Sequence, residues 1–261
     1  MFWTRLISGV ILAPLFLFLV YLGAPYFNVL IATTAAVMAW EFTRMDGEEG
    51  DKRRALIAAA CVVAVISMSV GGMTVAWGIV LGATILVVVA DQVAGRPGLN
   101  MVQWAVPYVA VPAISLIYVS TIGGWHTVFW LLAVVWLTDI GAYVFGRLIG
   151  GPKLAPAISP NKTWAGSLGG LVTGTAAGLG MLSAVGVAPA MNFFVLSIVL
   201  SVLTQIGDLF ESALKRKFQV KDSGGLIPGH GGVMDRFDGL WAAAPIAALL
   251  CYVLEGSVHT W

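Results

Sequence analysis

An all-α, polytopic membrane helical bundle is the fold class that the sequence predicts, and three observations predict it. Of the 261 residues, 59% are hydrophobic and 10% are charged, whereas a soluble domain carries about 25% charged residues. The apolar residues gather into about nine runs, each near the roughly 17 to 25 residues that cross about 30 Å of hydrocarbon. Crossing the membrane at every run collects all 14 lysines and arginines on one side.

The runs lie at about 6 to 22, 26 to 42, 55 to 71, 73 to 90, 103 to 119, 125 to 146, 165 to 187, 190 to 208 and 240 to 256. The first, within MFWTRLISGVILAPLFLFLV, resembles a cleavable signal. It reads as an anchor, because more spans follow and no small-residue cleavage site precedes them. The third and fourth meet at Gly71-Gly72, and the fifth and sixth at Ser120 to Trp125. The sixth runs out into polar residues, the seventh follows SPNKTWAG, the eighth continues into QIGDLFESALKRK, and the ninth follows KDSGGLIPGHGGVMDRFDG. The runs consume the chain, so 1–261 reads as one integral membrane domain. Its N-terminal spans occupy 1–120, and the spans and loops carrying the polar site residues occupy 121–261.

Cytoplasmic loops carry the excess of lysine and arginine, which sets the orientation. The N-terminus and the polar loops of the second half face the cytoplasm, and the tail from Gly256 lies outside. The connections near Gly23-Ala24-Pro25, Ser120 to Trp125 and Gly186 to Ala190 hold no basic residue. The mixed-charge stretch RMDGEEGDKRR at 44 to 54 reads as a solvated loop whose basic residues face anionic headgroups. Cys61 and Cys251 fall in apolar runs, where cysteine behaves as a small buried hydrophobe, and neither a disulfide nor a metal site is expected from them. Asn161-Lys162-Thr163 matches a glycosylation acceptor on the cytoplasmic side, where it has no such meaning.

Charge at membrane depth is costly and marks a site candidate by default. Four polar groups on the cytoplasmic side qualify. In WLTDIGAYVFGRLIG, Asp139, Tyr143 and Arg147 recur at i, i+4 and i+8 on one helical face, as a substrate-binding row or as a pair stabilising a helix end. In SPNKTWAG, Ser159, Asn161, Lys162 and Thr163 precede an apolar helix. They read either as an anion site at its start or as an N-cap followed by an interfacial tryptophan.

The third group places Asp208, Glu211, Ser212 and Lys215 at i, i+3, i+4 and i+7, one stripe of two carboxylates, a hydroxyl and an ammonium. It is an amphipathic helix end entering solvent, or a set in which carboxylates hold a hard cation while the lysine faces a phosphate. The fourth, residues 221–239, combines six glycines with Lys221, Asp222, His230, Asp235, Arg236 and Asp238. Glycines permit unusual dihedrals and close approach of backbone N–H groups to a ligand, yet the same composition makes a flexible polar loop. GGLIPGHGG does not meet the Walker pattern. Asp235 and Asp238 share a face if this segment opens the last helix, and with Asp208 they make a hard oxygen site suited to Mg²⁺. His230 has no zinc-binding companions, since His126 is placed outside and the cysteines lie in the apolar runs.

Residues 212–238, SALKRKFQVKDSGGLIPGHGGVMDRFD, resemble the signature of the phosphatidate cytidylyltransferases, or CDP-diacylglycerol synthases. That signature runs S-x-apolar-K-R, four residues, K-D, x, a small residue, two residues, apolar, P or G, x, H-G-G, apolar, x, D-R-apolar-D. Every specified position is met, from Ser212, Lys215 and Arg216 through Lys221, Asp222 and Gly224 to His230, Gly231, Gly232, Asp235, Arg236 and Asp238. The upstream D-x3-Y-x2-G-R element and SPNKTWAG are similar to family features too, so the likeness covers at least 139–239. The first hundred residues match only as hydrophobic spans.

The resemblance implies that CTP and phosphatidate give CDP-diacylglycerol and pyrophosphate, in phospholipid biosynthesis. It implies Mg²⁺, with a second cation such as K⁺, a cytoplasm-facing polar cavity, a homodimer in the inner (plasma) membrane, and no nucleic-acid polymer as partner. On this reading Asp208 and Asp235 serve the metal ions, with Asp238, Asp222 and Glu211 as further carboxylates. Lys215, Arg216, Lys221 and Arg236 balance phosphate charge, while Ser159, Lys162, Ser212, Gly231 and Gly232 offer further phosphate donors. His230 bonds a phosphate oxygen or fixes the glycine loop.

Two rivals fare worse. A CDP-alcohol phosphotransferase needs D-G-x2-A-R and then G-x3-D-x3-D, but after Asp238-Gly239 the arginine position is Ala243 and no aspartates follow. An ion-coupled transporter predicts charges within spans and breaks in matching halves, whereas here the polar residues cluster at one face and no internal repeat is present.

Overall fold

The structure is a computed structural model that describes residues 2–46, 51–95, 101–226 and 231–261. The described residues form α1 (Phe2–Leu22), α2 (Tyr26–Met45), α3 (Asp51–Val93), a 3-10 turn (Met101–Trp104), α4 (Ala105–Ile149), β1 (Lys153–Ala155), β2 (Ser159–Thr163), α5 (Trp164–Ala184), α6 (Met191–Lys217) and α7 (Met234–Val253). The expected all-α class holds, with one small addition. β1 and β2 pair antiparallel, Lys153 opposite Thr163 and Ala155 opposite Ser159.

Five described helices are long and apolar enough to cross a membrane: α3, α4 with its leading turn, α5, α6 and α7. Nine spans were expected. Part of the difference lies in α3 and α4, each of which joins two predicted spans across a glycine with non-helical dihedrals, Gly72 (φ 74°, ψ −174°) and Gly124 (φ 66°, ψ 179°). Only glycine adopts such a conformation at little steric cost. The predicted span at 26 to 42 falls on α2, which is not among the five. Asn28, Glu41, Arg44 and three threonines lower its hydropathy.

The chain groups into two compact units, Met1–Thr121 with Asp222–Arg236, and Ile122–Lys221 with Phe237–Trp261. In the first, α2 buries Phe27, Ile31, Ala35, Met38 and Phe42, the spacing of one helical face. Against it stand Ile57, Cys61, Ala64 and Met68 of α3, also buried. Phe42 meets Tyr108 of α4 at 5.2 Å between ring centroids. Residues 51–54, expected in a solvated loop, instead open α3. Arg53 Nη2 pairs with Asp91 Oδ2 at 2.5 Å, and Gln103 Nε2 donates to the same oxygen at 3.2 Å. Asp91 is 2% exposed, and a carboxylate so buried needs both partners.

In the second unit α5 packs through a glycine stripe. A Cβ at Gly166 would stand 2.7 Å from the Ala142 carbonyl, at Gly170 2.7 Å from the Thr138 carbonyl, and at Gly174 2.9 Å from the Val134 carbonyl. Small residues every fourth position let two backbones meet where lipid supplies no hydrophobic drive between helices. Polar side chains reinforce the packing: Thr138 Oγ1 donates to Ser201 Oγ at 2.8 Å and Ser167 Oγ to Gln205 Oε1 at 2.5 Å. Toward the C-terminus, Trp130, Phe193 and Trp261 form an aromatic cluster with centroids 5.9 to 6.4 Å apart. Large apolar side chains stay exposed along the helices, Val70, Leu81, Leu148 and Val172 among them, as they do on a surface that meets hydrocarbon.

Candidate active site

Polar groups from β2 and α7 meet the C-terminal half of α6 in the second unit. Lys162, from the last residues of β2, forms an ion pair with Asp208 of α6. One helical turn on, Glu211 is fully buried and its Oε1 meets Lys215 Nζ at 3.0 Å. Arg216 Nε reaches back to the Ile158 carbonyl at 3.3 Å, so the hairpin turn and the end of α6 are tied. Ser159 and Ser212 are half-buried nearby in sequence, and Asn161 is exposed.

α7 meets α6 where neither has a side chain to spare. A Cβ at Gly207 would stand 2.6 Å from the Asp238 carbonyl, and one at Gly239 2.6 Å from Thr204 Cγ2. That close crossing sets Asp238 beside Asp208, within the field of Lys162 and Lys215. Two carboxylates and two ammonium groups thus share one neighbourhood. Paired carboxylates are hard oxygen donors of the kind a divalent cation takes. Among the described residues, no three His, Cys, Asp or Glu side chains assemble into a metal cluster.

The other second-unit residues are placed as follows. Asp139, Tyr143 and Arg147 are exposed on the last turns of α4, where Arg147 Nη1 donates to Tyr143 Oη at 2.9 Å. Thr163 is the N-cap of α5, extended at φ −123° and ψ 157°, its Oγ1 accepting from Gly166 N at 3.1 Å. Lys221 is exposed after the left-handed Gln219 (φ 57°) that ends α6.

The first unit holds the glycine-rich segment. Asp235 Oδ2 accepts from Ser223 N at 3.0 Å, Gly232 N at 2.9 Å and Ser223 Oγ at 3.0 Å. Arg236 and Asp222 are exposed beside it. Gly231 needs its glycine, at φ 86°. His230, with 227–229, lies outside the described residues.

One residue that the sequence reading passed over organises this segment. Glu41 of α2, 5% exposed, accepts from Val233 N at 3.0 Å through Oε1 and from Met234 N at 2.9 Å through Oε2, with Ser223 Oγ at 3.2 Å. It therefore takes the N–H of Val233 just before α7 and that of Met234, its first residue, which has no partner within the helix. The signal was in the sequence: an acid within a predicted span is a site candidate by default.

Comparison with known proteins adds a family to this geometry. A model of the Cytidylyltransferase family matches residues 3–254. The phosphatidate cytidylyltransferase of Brucella suis biovar 1 (strain 1330) is 37% identical over 248 residues, 94% of this chain and 92% of that protein. The phosphatidate cytidylyltransferases of Staphylococcus saprophyticus subsp. saprophyticus and Staphylococcus aureus (strain COL) are 44% and 43% identical over 147 and 149 residues, 56% of each chain. With nearly its whole length inside the match, the chain belongs to the cytidylyltransferase family and is a nucleotidyltransferase.

Proposed function

We propose that the protein is a CTP:phosphatidate cytidylyltransferase: a phosphate oxygen of phosphatidate attacks the α-phosphorus of CTP, the bond to the β-phosphate breaks, and CDP-diacylglycerol and pyrophosphate leave. The observation that carries the reading, beside the relatives' names, is the clustering of Asp208, Asp238, Lys162 and Lys215.

A phosphomonoester with a second pKa of about 6 is largely ionised near neutral pH, so the nucleophile needs no general base. What remains for the protein is alignment and charge neutralisation. Lys162, Lys215, Arg216, Lys221 and Arg236 are assigned to phosphate charge, with Ser159 and Ser212 as hydroxyl donors. Asp139, Tyr143 and Arg147 are assigned to the substrate at the membrane face. Glu211, buried against Lys215, is assigned to holding that ammonium.

Mg²⁺ fits the residues present. It is usually held by one or two protein carboxylates together with substrate phosphates, and Asp208 and Asp238 supply two. Asp235 is the further proposed ligand; the three donors on its Oδ2 orient it as outer partners orient a ligating carboxylate. When bound, the ion supplies charge stabilisation at the triphosphate. A K⁺ ion beside it, a homodimer and nine crossings complete the proposal. The 43 residues of α3 and the 45 of α4, summed over the two parts on either side of each break, amount to about 65 Å of helix apiece at about 1.5 Å per residue, close to twice a bilayer's hydrocarbon core.

Purified protein in detergent, given labelled CTP, phosphatidate and Mg²⁺, is expected to yield lipid-linked cytidine and pyrophosphate. No product is expected when phosphatidate or Mg²⁺ is left out. Absence of lipid-linked cytidine in the complete mixture overturns the assignment.

A further inference from the structure

We infer that Glu41 is a positioning residue for nucleotidyl transfer, holding the glycine-rich segment and the start of α7 through its buried carboxylate. The inference rests on the proposed reaction and adds a residue that the signature does not contain. Its basis is geometric. Both carboxylate oxygens face donors from residues 223–234 at 2.9 to 3.2 Å. The segment is shaped around them: a Cβ at Gly224 would stand 2.4 Å from Glu41 Oε1, and one at Gly232 2.7 Å from Glu41 Oε2. The small residue at 224 and the second glycine of His-Gly-Gly thus leave the room that the Glu41 carboxylate occupies.

Ser223 links this anchor to the site. Its hydroxyl lies 3.2 Å from Glu41 Oε2 and 3.0 Å from Asp235 Oδ2, and its single proton serves one of them at a time. Its N–H donates to Asp235 Oδ2 at 3.0 Å. A shift of Glu41 therefore passes through Ser223, Val233 and Met234 to the direction of Asp235 and Arg236. A carboxylate is suited to the task, since it accepts at both oxygens, and negative charge is favoured at a helix N-terminus.

Glu41→Gln keeps the size of the side chain but turns one acceptor into a donor that faces an N–H group. Three readouts decide: hydrogen exchange of peptides covering 223–226 and 231–236, thermal unfolding in detergent, and steady-state kinetics with CTP. The expected result is exchange about tenfold faster in those peptides alone, an unchanged unfolding midpoint, and kcat lowered by about tenfold or more, since misplacement of reacting groups acts on alignment. KM for CTP should change by less than about threefold, because uniform binding is not what is lost. Faster local exchange with normal kcat overturns the inference, as does lowered kcat with normal exchange. Should the variant fail to fold, Gly224→Ala displaces the Glu41 carboxylate without removing its charge. The same pattern is expected, and normal exchange and kcat there overturn the inference. Wild-type protein that makes no lipid-linked cytidine would overturn the proposed reaction instead, while the exchange readout still reports on the anchor.

Discussion

Gly207 of α6 lies so close to Asp238 of α7 that a Cβ on it would stand 2.6 Å from the Asp238 carbonyl oxygen. The next residue along α6, Asp208, is thereby brought beside the Asp238 carboxylate. Two carboxylates held together repel each other unless a cation or a proton intervenes. Asp238→Asn should therefore lower turnover by about tenfold or more, as loss of a cation ligand does, while thermal stability in detergent stays level or rises. A variant that loses stability but keeps turnover would remove Asp238 from the proposed cation site.

Asp235 makes a different demand. Its Oδ2 is filled by Ser223 N, Ser223 Oγ and Gly232 N, and asparagine can present an amide oxygen to the same donors. Asp235→Asn is expected to fold and to lower turnover by more than about tenfold through loss of charge at the proposed Mg²⁺ site. Lipid-linked cytidine formation and size-exclusion behaviour of the purified variant check both halves. Near-normal turnover would leave Asp235 with a structural task only.

Much of this arrangement was legible beforehand because it depends on local rules. Apolar runs located the helices, and the breaks in α3 and α4 fall at Gly72 and Gly124, inside the two connections expected between runs. α7 starts at Met234, which puts Asp235 and Asp238 in its first two turns as the i, i+3 spacing suggested. The hairpin at 153–163 was not foreseen: its strands are three and five residues long, and Pro160 lies within the second, where a strand is not usually expected. The Glu41 anchor was missed for another reason. Its partners are more than 180 positions away, and no local pattern reports a contact of that range. The α5 glycine stripe was within reach of sequence reasoning, since Gly166, Gly170, Gly174 and Gly178 recur at four.

That stripe yields a stability test with an internal control. Gly170→Ala would force a methyl to 2.7 Å from the Thr138 carbonyl, a backbone atom that cannot turn aside, and overpacking of this kind costs about 1–3 kcal/mol. Gly180 sits on the same helix with nothing within 4 Å of an added Cβ, so Gly180→Ala should be neutral or stabilising by about 0.5–1 kcal/mol from helix propensity. Unfolding curves in detergent separate the two. Equal effects at both positions would mean that the stripe is not the contact surface.

The proposed nine-crossing topology can be tested by labelling, because Cys61 and Cys251 are both buried and leave little background. Val70, 86% exposed, precedes the break at Gly72, and Lys153 is exposed in β1. If α3 doubles back at Gly72, Val70→Cys should react with a membrane-impermeant maleimide in intact cells. Lys153→Cys should react only after permeabilisation, as the positive-inside rule requires of a basic loop. Labelling of Lys153→Cys from outside would invert the orientation. A Val70→Cys that stays unlabelled from outside but reacts once the cytoplasmic face is opened would reduce α3 to a helix that does not return, and the count of nine would fall with it.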